Sequence, residues 1–256
     1  MYKILLRLGK VALSGCLALA VLTGLCFFYY NIPMHYTSAD GATDYKWLTN
    51  HFYSRGTEGF AWGKTNNEGY LNTFDYQPGM PVSVLVMGSS HMEAYQVAME
   101  ESTASRLNAA LTGKTVYNIG TSGHTLMTCV GNLKAAVGKY LPQDYIIIET
   151  AASSFPNESL TLALNNRFPE HQSHEGGIIG LLQRVPYLRL LYKQLRGLWE
   201  VPAEEEMDAV PVSLAASVSQ NDPALLDQLC KKILADASTG GGGQTILLSS
   251  SYTIPL

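Results

Sequence analysis

From Val11 to Tyr30 the chain runs about twenty residues without a charge. At about 1.5 Å per residue that length crosses a hydrocarbon core, so the pattern predicts a transmembrane helix. Residues 31 to 80 have no clear period and predict an irregular segment lying against the rest. Regular texture begins at the apolar run Val82 to Met87, followed by the small-residue loop Gly88-Ser89-Ser90 and a helical stretch ending near Leu111 before Gly113. The same sequence of strand, loop and helix recurs with Thr115 to Ile119, Gly120 to His124, and a helix carrying Leu126, Val130, Leu133 and Val137 on one face. A third unit opens with the turn Pro142-Gln143-Asp144 and the strand Tyr145 to Glu149.

Further on, Ile178 to Trp199 shows leucines at helical spacing interrupted by Pro186, and Glu204-Glu205-Glu206 suits a solvated loop. Pro223 to Ala237 predicts a helix with Pro223 in its first turn and Leu225, Leu226, Leu229 and Ile233 on its inner face. Gly240 to Gly243 is a connector before a last strand, Thr245 to Ser249. Repeated βα units of this length imply parallel strands with helices on both sheet faces. The expected fold is therefore α/β: a three-layer, doubly wound sandwich with a mostly parallel sheet, preceded by one transmembrane helix. Its divisions are a basic segment 1–10, the span 11–30, the aromatic-rich cover 31–80 and the α/β domain 81–256.

Charge orients the span. Lys3, Arg7 and Lys10 precede it and no Lys or Arg occurs from Asn31 to Asp40, so the N-terminus belongs in the cytoplasm and the domain outside a cell membrane. A cleaved signal and a lipoprotein signal ending Leu13-Ser14-Gly15-Cys16 are the alternatives. The lipobox lies too early for a full apolar core, and the bulky Phe27-Phe28-Tyr29-Tyr30 suits an interfacial anchor better than a cleavage site. A net charge of -4 gives no support for a nucleic-acid partner. The cover's aromatics, among them Tyr36, Trp47, Phe60, Trp62 and Tyr70, suit packing on the core or, alternatively, a carbohydrate-binding surface. Outside the span only Cys129 and Cys230 remain, as two separate thiols or a single pair, and no cluster has metal-ligand spacing.

In an open parallel sheet, ligands bind at the carboxyl ends of the strands. The loops there hold Gly88-Ser89-Ser90-His91, Gly120-Thr121-Ser122-Gly123-His124, Thr150 to Asn157, and Ser250 to Leu256. A serine opening a helix beside small residues with accessible N–H groups is the equipment of acyl transfer. The Gly-x-Gly-x-x-Gly dinucleotide fingerprint and the Gly-x-Ser-x-Gly elbow are both missing from the first loop.

Val84-Leu85-Val86-Met87-Gly88-Ser89-Ser90-His91 resembles the first block of the SGNH (GDSL-like) hydrolases, with Ser89 in place of the usual aspartate. Tyr117-Asn118-Ile119-Gly120-Thr121-Ser122-Gly123-His124-Thr125 is similar to their second block. The likeness spans roughly residues 82 to 155. It implies an SGNH/flavodoxin-like fold, Ser90 as nucleophile, and the N–H groups of Ser90 and Gly123 as oxyanion donors. It also departs from the family. The third-block asparagine is missing from Glu149-Thr150-Ala151-Ala152-Ser153-Ser154, leaving Ser153, Ser154 or Asn157 as substitutes.

The late Asp-x-x-His block that would supply the base does not occur before Leu256. The expectation is a truncated gene product with little activity of its own, the alternative being a substitute histidine. His91 suits a structural or substrate-contacting role, while His124 and Glu149 are pocket candidates, each with a plain structural alternative. His171 and His174 lie in a polar stretch suited to a lid. The resemblance thus implies an esterase or O-acetyltransferase, without cofactor or metal, acting on a cell-surface polysaccharide or an acylated small molecule. The other reading is a non-catalytic SGNH domain that binds glycan or organises an envelope complex.

Overall fold

The computed structural model describes residues 2–31, 34–36, 45–56, 59–150, 157–165, 187–188, 191, 223–239 and 245–250. The expectations for Ser153, Ser154, His171, His174, the acidic run 204–206, the glycine run 240–243 and nearly all of the leucine-rich stretch 178–199 lie outside the described residues.

The first element, α1 (Tyr2–Tyr29), is a 28-residue helix, about 42 Å long, with almost every side chain exposed. It is long and apolar enough to span a membrane. Strands then follow where the sequence shows no period: β1 (Tyr30–Asn31), β2 (Met34–Tyr36), β3 (Tyr45–Trp47), β4 (Phe52–Arg55) and β5 (Ala61–Lys64). They form an antiparallel sheet in the order β1-β4-β5 and an antiparallel pair β2-β3. Segment 31–80 is thus partly regular rather than irregular. These strands are at most four residues long, too short for alternation to register in sequence.

The second sheet is parallel. It comprises β6 (Val84–Met87), β7 (Val116–Asn118), β8 (Tyr145–Thr150) and β9 (Thr245–Ser250) in the order β7-β6-β8-β9. Val84, Leu85, Val86 and Met87 are all buried, because β6 is covered on both sides. Alternation sends Leu85, Met87, Ile146 and Ile148 to the face packed by α4 (Leu126–Tyr140), α5 (Asn157–Leu164) and α6 (Pro223–Ser238). Val84, Val86 and Ile147 turn the other way, toward Ala104 and Leu107 of α3 (Thr103–Ala110).

Local signals set the helix limits. Thr125 accepts the Thr128 N–H at the start of α4, which ends at Leu141 in the left-handed region (φ 46°). The predicted inner face of α4 is the buried one: Val130, Leu133 and Val137 are 0% exposed and Leu126 is 2%. Full burial of each such side chain contributes about 1.5–3 kcal/mol.

The single helix expected between Ser90 and Leu111 is instead three pieces. They are α2 (Ser90–Glu93), a 3-10 turn at Met99–Glu101, and α3, which Ser102 opens by accepting the Ser105 N–H at 3.2 Å. Ala94 breaks the first piece by adopting a left-handed conformation (φ 60°). A non-glycine residue there costs about 1–2 kcal/mol.

Candidate active site

The order β7-β6-β8-β9 reverses direction at β6, the first strand of the sheet in sequence. After β6 the chain steps to β7 on one side and then crosses to β8 on the other. Such a reversal opens a crevice at the carboxyl edge, because the neighbouring connections leave on opposite faces. Gly88, Ser89 and Ser90 lie at that position. Thr121 N–H donates to Gly88 C=O at 3.0 Å from the β7 side, and Glu149 reaches Ser89 from the β8 side. Ser90 and Gly123 therefore belong to loops on one edge.

Glu149 fixes the loop that carries Ser90. Its Oε2 accepts the Ser89 N–H at 2.7 Å and the Ser89 Oγ–H at 2.8 Å, and the residue is only 4% exposed. Oε1 is buried and has no hydrogen-bond partner among the described residues. Gly88 makes the approach possible. A Cβ there would stand 2.6 Å from Glu149 Oε2 and 2.9 Å from Met92 Cβ. Ser89 occupies the N-cap position of α2 but caps nothing, since its hydroxyl is committed to Glu149. Ser90 is the first helical residue. Its side chain is partly exposed, and its Oγ makes no hydrogen bond to any described residue.

Glu93, one turn beyond Ser90, has no counterpart among the candidates read from the sequence. The residue is 1% exposed. Oε2 accepts the Ser122 N–H at 3.1 Å and the Ser122 hydroxyl, and Oε1 accepts the Trp47 indole N–H. Burial pushes this carboxyl up to about 7, against the hydrogen bonds from Ser122 and Trp47 and the charge of Arg55, which pull it down. One side chain thus ties α2 to the loop after β7 and to the cover segment. Ser90-x-x-Glu93 has the spacing of a capping box, a purely local motif. The contacts formed are long-range instead.

Asn118 provides a second tie. Its Nδ2 donates to Met92 C=O at 2.8 Å, and its Oδ1 accepts the Gly120 N–H at 2.9 Å. Asn72, from the cover, brackets the Asn118 backbone with two hydrogen bonds of 2.9 Å. Gly120 is held so close to α2 that a Cβ would meet Glu93 N at 2.9 Å. Gly123 occupies an exposed turn closed by His124 N–H to Thr121 C=O at 3.1 Å, with φ at 85°. No described residue accepts the Gly123 N–H, which leaves it available to a ligand oxygen.

The remaining candidates scatter. His91 is exposed. His124 lines a cleft on the α4 side of the sheet with Met87, Ile119, Tyr70, Asn132 and Lys139, and Ser90 is absent from that lining. Asn157 is the first residue of α5. The two thiols are separate: Cys129 is buried, Cys230 is exposed, and neither forms a disulfide.

Much of the cover serves packing. Tyr70, Phe74 and Tyr76 gather around Tyr117 with Tyr140. Glu68 accepts hydrogen bonds from the Tyr117 and Tyr140 hydroxyls and pairs with Lys139 at 2.6 Å. Among the described residues no group of three or more His, Cys, Asp or Glu is arranged to hold a metal ion.

No protein-family model matches the chain, and no curated protein matches it.

Proposed function

We propose that the chain is a membrane-anchored, extracytoplasmic serine esterase or O-acetyltransferase of the SGNH type, built as a three-layer doubly wound sandwich and acting on acyl esters of a cell-surface glycan. One observation carries this: a partly exposed serine begins a helix at the strand-order reversal, beside a glycine turn whose N–H has no described acceptor. In this mechanism Ser90 Oγ attacks the acyl carbon. The developing oxyanion takes hydrogen bonds from the N–H groups of Ser90 and Gly123. Glu149, Glu93 and Asn118 hold the two loops in register and touch no reacting atom. Lys3, Arg7 and Lys10, at the N-terminal end of α1 ahead of its uncharged run, supply the charge bias for an outward domain.

No histidine among the described residues hydrogen-bonds to Ser90 Oγ, and an unassisted serine is a weak nucleophile. That observation favours a second reading, a non-catalytic glycan-binding domain. Chemical rescue separates the two. The detergent-solubilised chain is assayed on an acetylated chromogenic ester with and without added imidazole, beside Ser90→Ala. A serine enzyme shows turnover above the Ser90→Ala background, either unaided or with imidazole as exogenous base. Losing the nucleophile of an intact triad lowers the rate roughly a thousandfold or more. Equal rates for the two proteins under both conditions remove the serine mechanism and leave the binding reading.

A further inference from the structure

We infer that the face of the small antiparallel sheet bearing Phe60 and Trp62 lies in the acyl–headgroup boundary of the bilayer that α1 enters, so that the domain rests on the membrane instead of standing off it. This rests on the reading of α1 as a membrane span.

The helix passes into the sheet without a linker, Tyr29 ending α1 and Tyr30 beginning β1. Ser54 Oγ accepts the Asn31 N–H at 3.0 Å and donates to the Phe27 carbonyl at 2.8 Å, satisfying a helix-end acceptor. Asn31 Nδ2 donates to Phe52 C=O at 2.9 Å. The rings continue the fastening: Phe27 stacks on Phe52 at 5.1 Å, and Phe52 meets Trp62 at 6.1 Å. Gly56 lies close enough to Tyr29 that a Cβ would sit 2.4 Å from the ring. The sheet and the last turn of the helix are thus joined directly.

Register decides which face looks toward the helix end. Ser54 pairs with Trp62 and Phe52 with Lys64, so these four side chains share the α1 face. Tyr53 and Ala61 take the opposite face and are 3% and 1% exposed. Trp62, on the α1 side, is 64% exposed, and Phe60, just before β5, is 66% exposed. Phe28 and Tyr29 add 66% and 51% at the end of the helix. Large aromatics left open in water are costly, whereas at a membrane interface they are the favoured residues. Trp62 is about 6 Å from a ring that stacks on the helix terminus, so a bilayer containing α1 brings its boundary to this patch. Lys64 on the same face can extend its ammonium toward lipid phosphates.

The test uses the full chain reconstituted in phosphatidylcholine vesicles, with bromines either shallow or deep on the acyl chains. Subtracting the spectrum of Trp62→Phe isolates one indole from Trp47 and Trp199. The expected Trp62 component is blue-shifted, quenched by shallow bromines more than deep ones, and shielded from aqueous acrylamide. Phe60→Trp combined with Trp62→Phe should restore the shallow quenching. A chain that floats with the vesicles while acrylamide, and not bromine, reaches Trp62 overturns the inference and leaves the anchor standing. Trp62 reached by neither quencher means a protein cover and overturns it too. A chain that does not float with the vesicles removes the anchor reading, and this inference with it.

Discussion

Glu93→Gln tests the assignment of a buried, proton-holding carboxyl at the edge of the site. An ordinary carboxyl at 4.5 raised to about 7 in the folded chain corresponds to about 3 kcal/mol, at roughly 1.4 kcal/mol per tenfold change in acidity. Between those two pH values the folded chain keeps a proton that the unfolded chain has released. Stability therefore falls as pH rises from 4.5 to about 7, and this contribution is flat above and below that window.

Glutamine removes the titration but not the shape. Trp47 Nε1–H and Ser122 N–H point at different carboxyl oxygens, so the amide can accept only one of them and sets its NH₂ against the other. That conflict costs about 1–3 kcal/mol at every pH. The variant is accordingly the weaker protein near pH 5, and its deficit closes or reverses near pH 8. The assay is thermal unfolding of both full-length proteins in detergent across that range, followed by tryptophan fluorescence. The difference in Tm between them should change by roughly 6–12 °C, at about 2–4 °C per kcal/mol for a domain of this size. A difference constant with pH would refute the argument, since other carboxylates cancel in the comparison and only Glu93 titrates in one protein alone.

Two further substitutions probe the loops around Ser90. Gly88→Ala places a methyl 2.6 Å from Glu149 Oε2 and should destabilise by about 1–3 kcal/mol, read as a lower urea midpoint with an unchanged slope. Asn118→Ala strands the Met92 carbonyl and the Gly120 N–H in the interior, and the same titration should register a loss of roughly 2–4 kcal/mol.

The parallel sheet was legible because its signals are local. Val84 to Met87 and Tyr145 to Glu149 are uninterrupted apolar runs ending in loops or a lone carboxylate, and Leu126, Val130, Leu133 and Val137 repeat at helical spacing. The cover strands were not, because β4 and β5 hold four residues each and mix Phe, Tyr and Trp with Ser, Arg and Gly. Glu93 was hidden for another reason. Its partners Ser122 and Trp47 stand 29 and 46 positions away, and nothing in its own surroundings distinguishes it from a solvated first-turn carboxylate.

Ser89 and Glu149 bear on each other in a way that the resemblance alone leaves unexplained. The SGNH pattern that the chain resembles places an aspartate where this chain has Ser89, and an asparagine at a position after the third strand where this chain has none. Glu149 Oε2 lies 2.7 Å from Ser89 N and 2.8 Å from Ser89 Oγ, and 96% of its residue surface is covered. An aspartate at 89 would bring a second acidic side chain into contact with Glu149 in a buried site, where it could not donate a hydrogen bond as the Ser89 hydroxyl does. A serine instead donates to the carboxylate and leaves the loop in place. A carboxyl group from β8 thus accepts both donors of Ser89. It orients the backbone from which Ser90 emerges and makes no hydrogen bond to Ser90 Oγ.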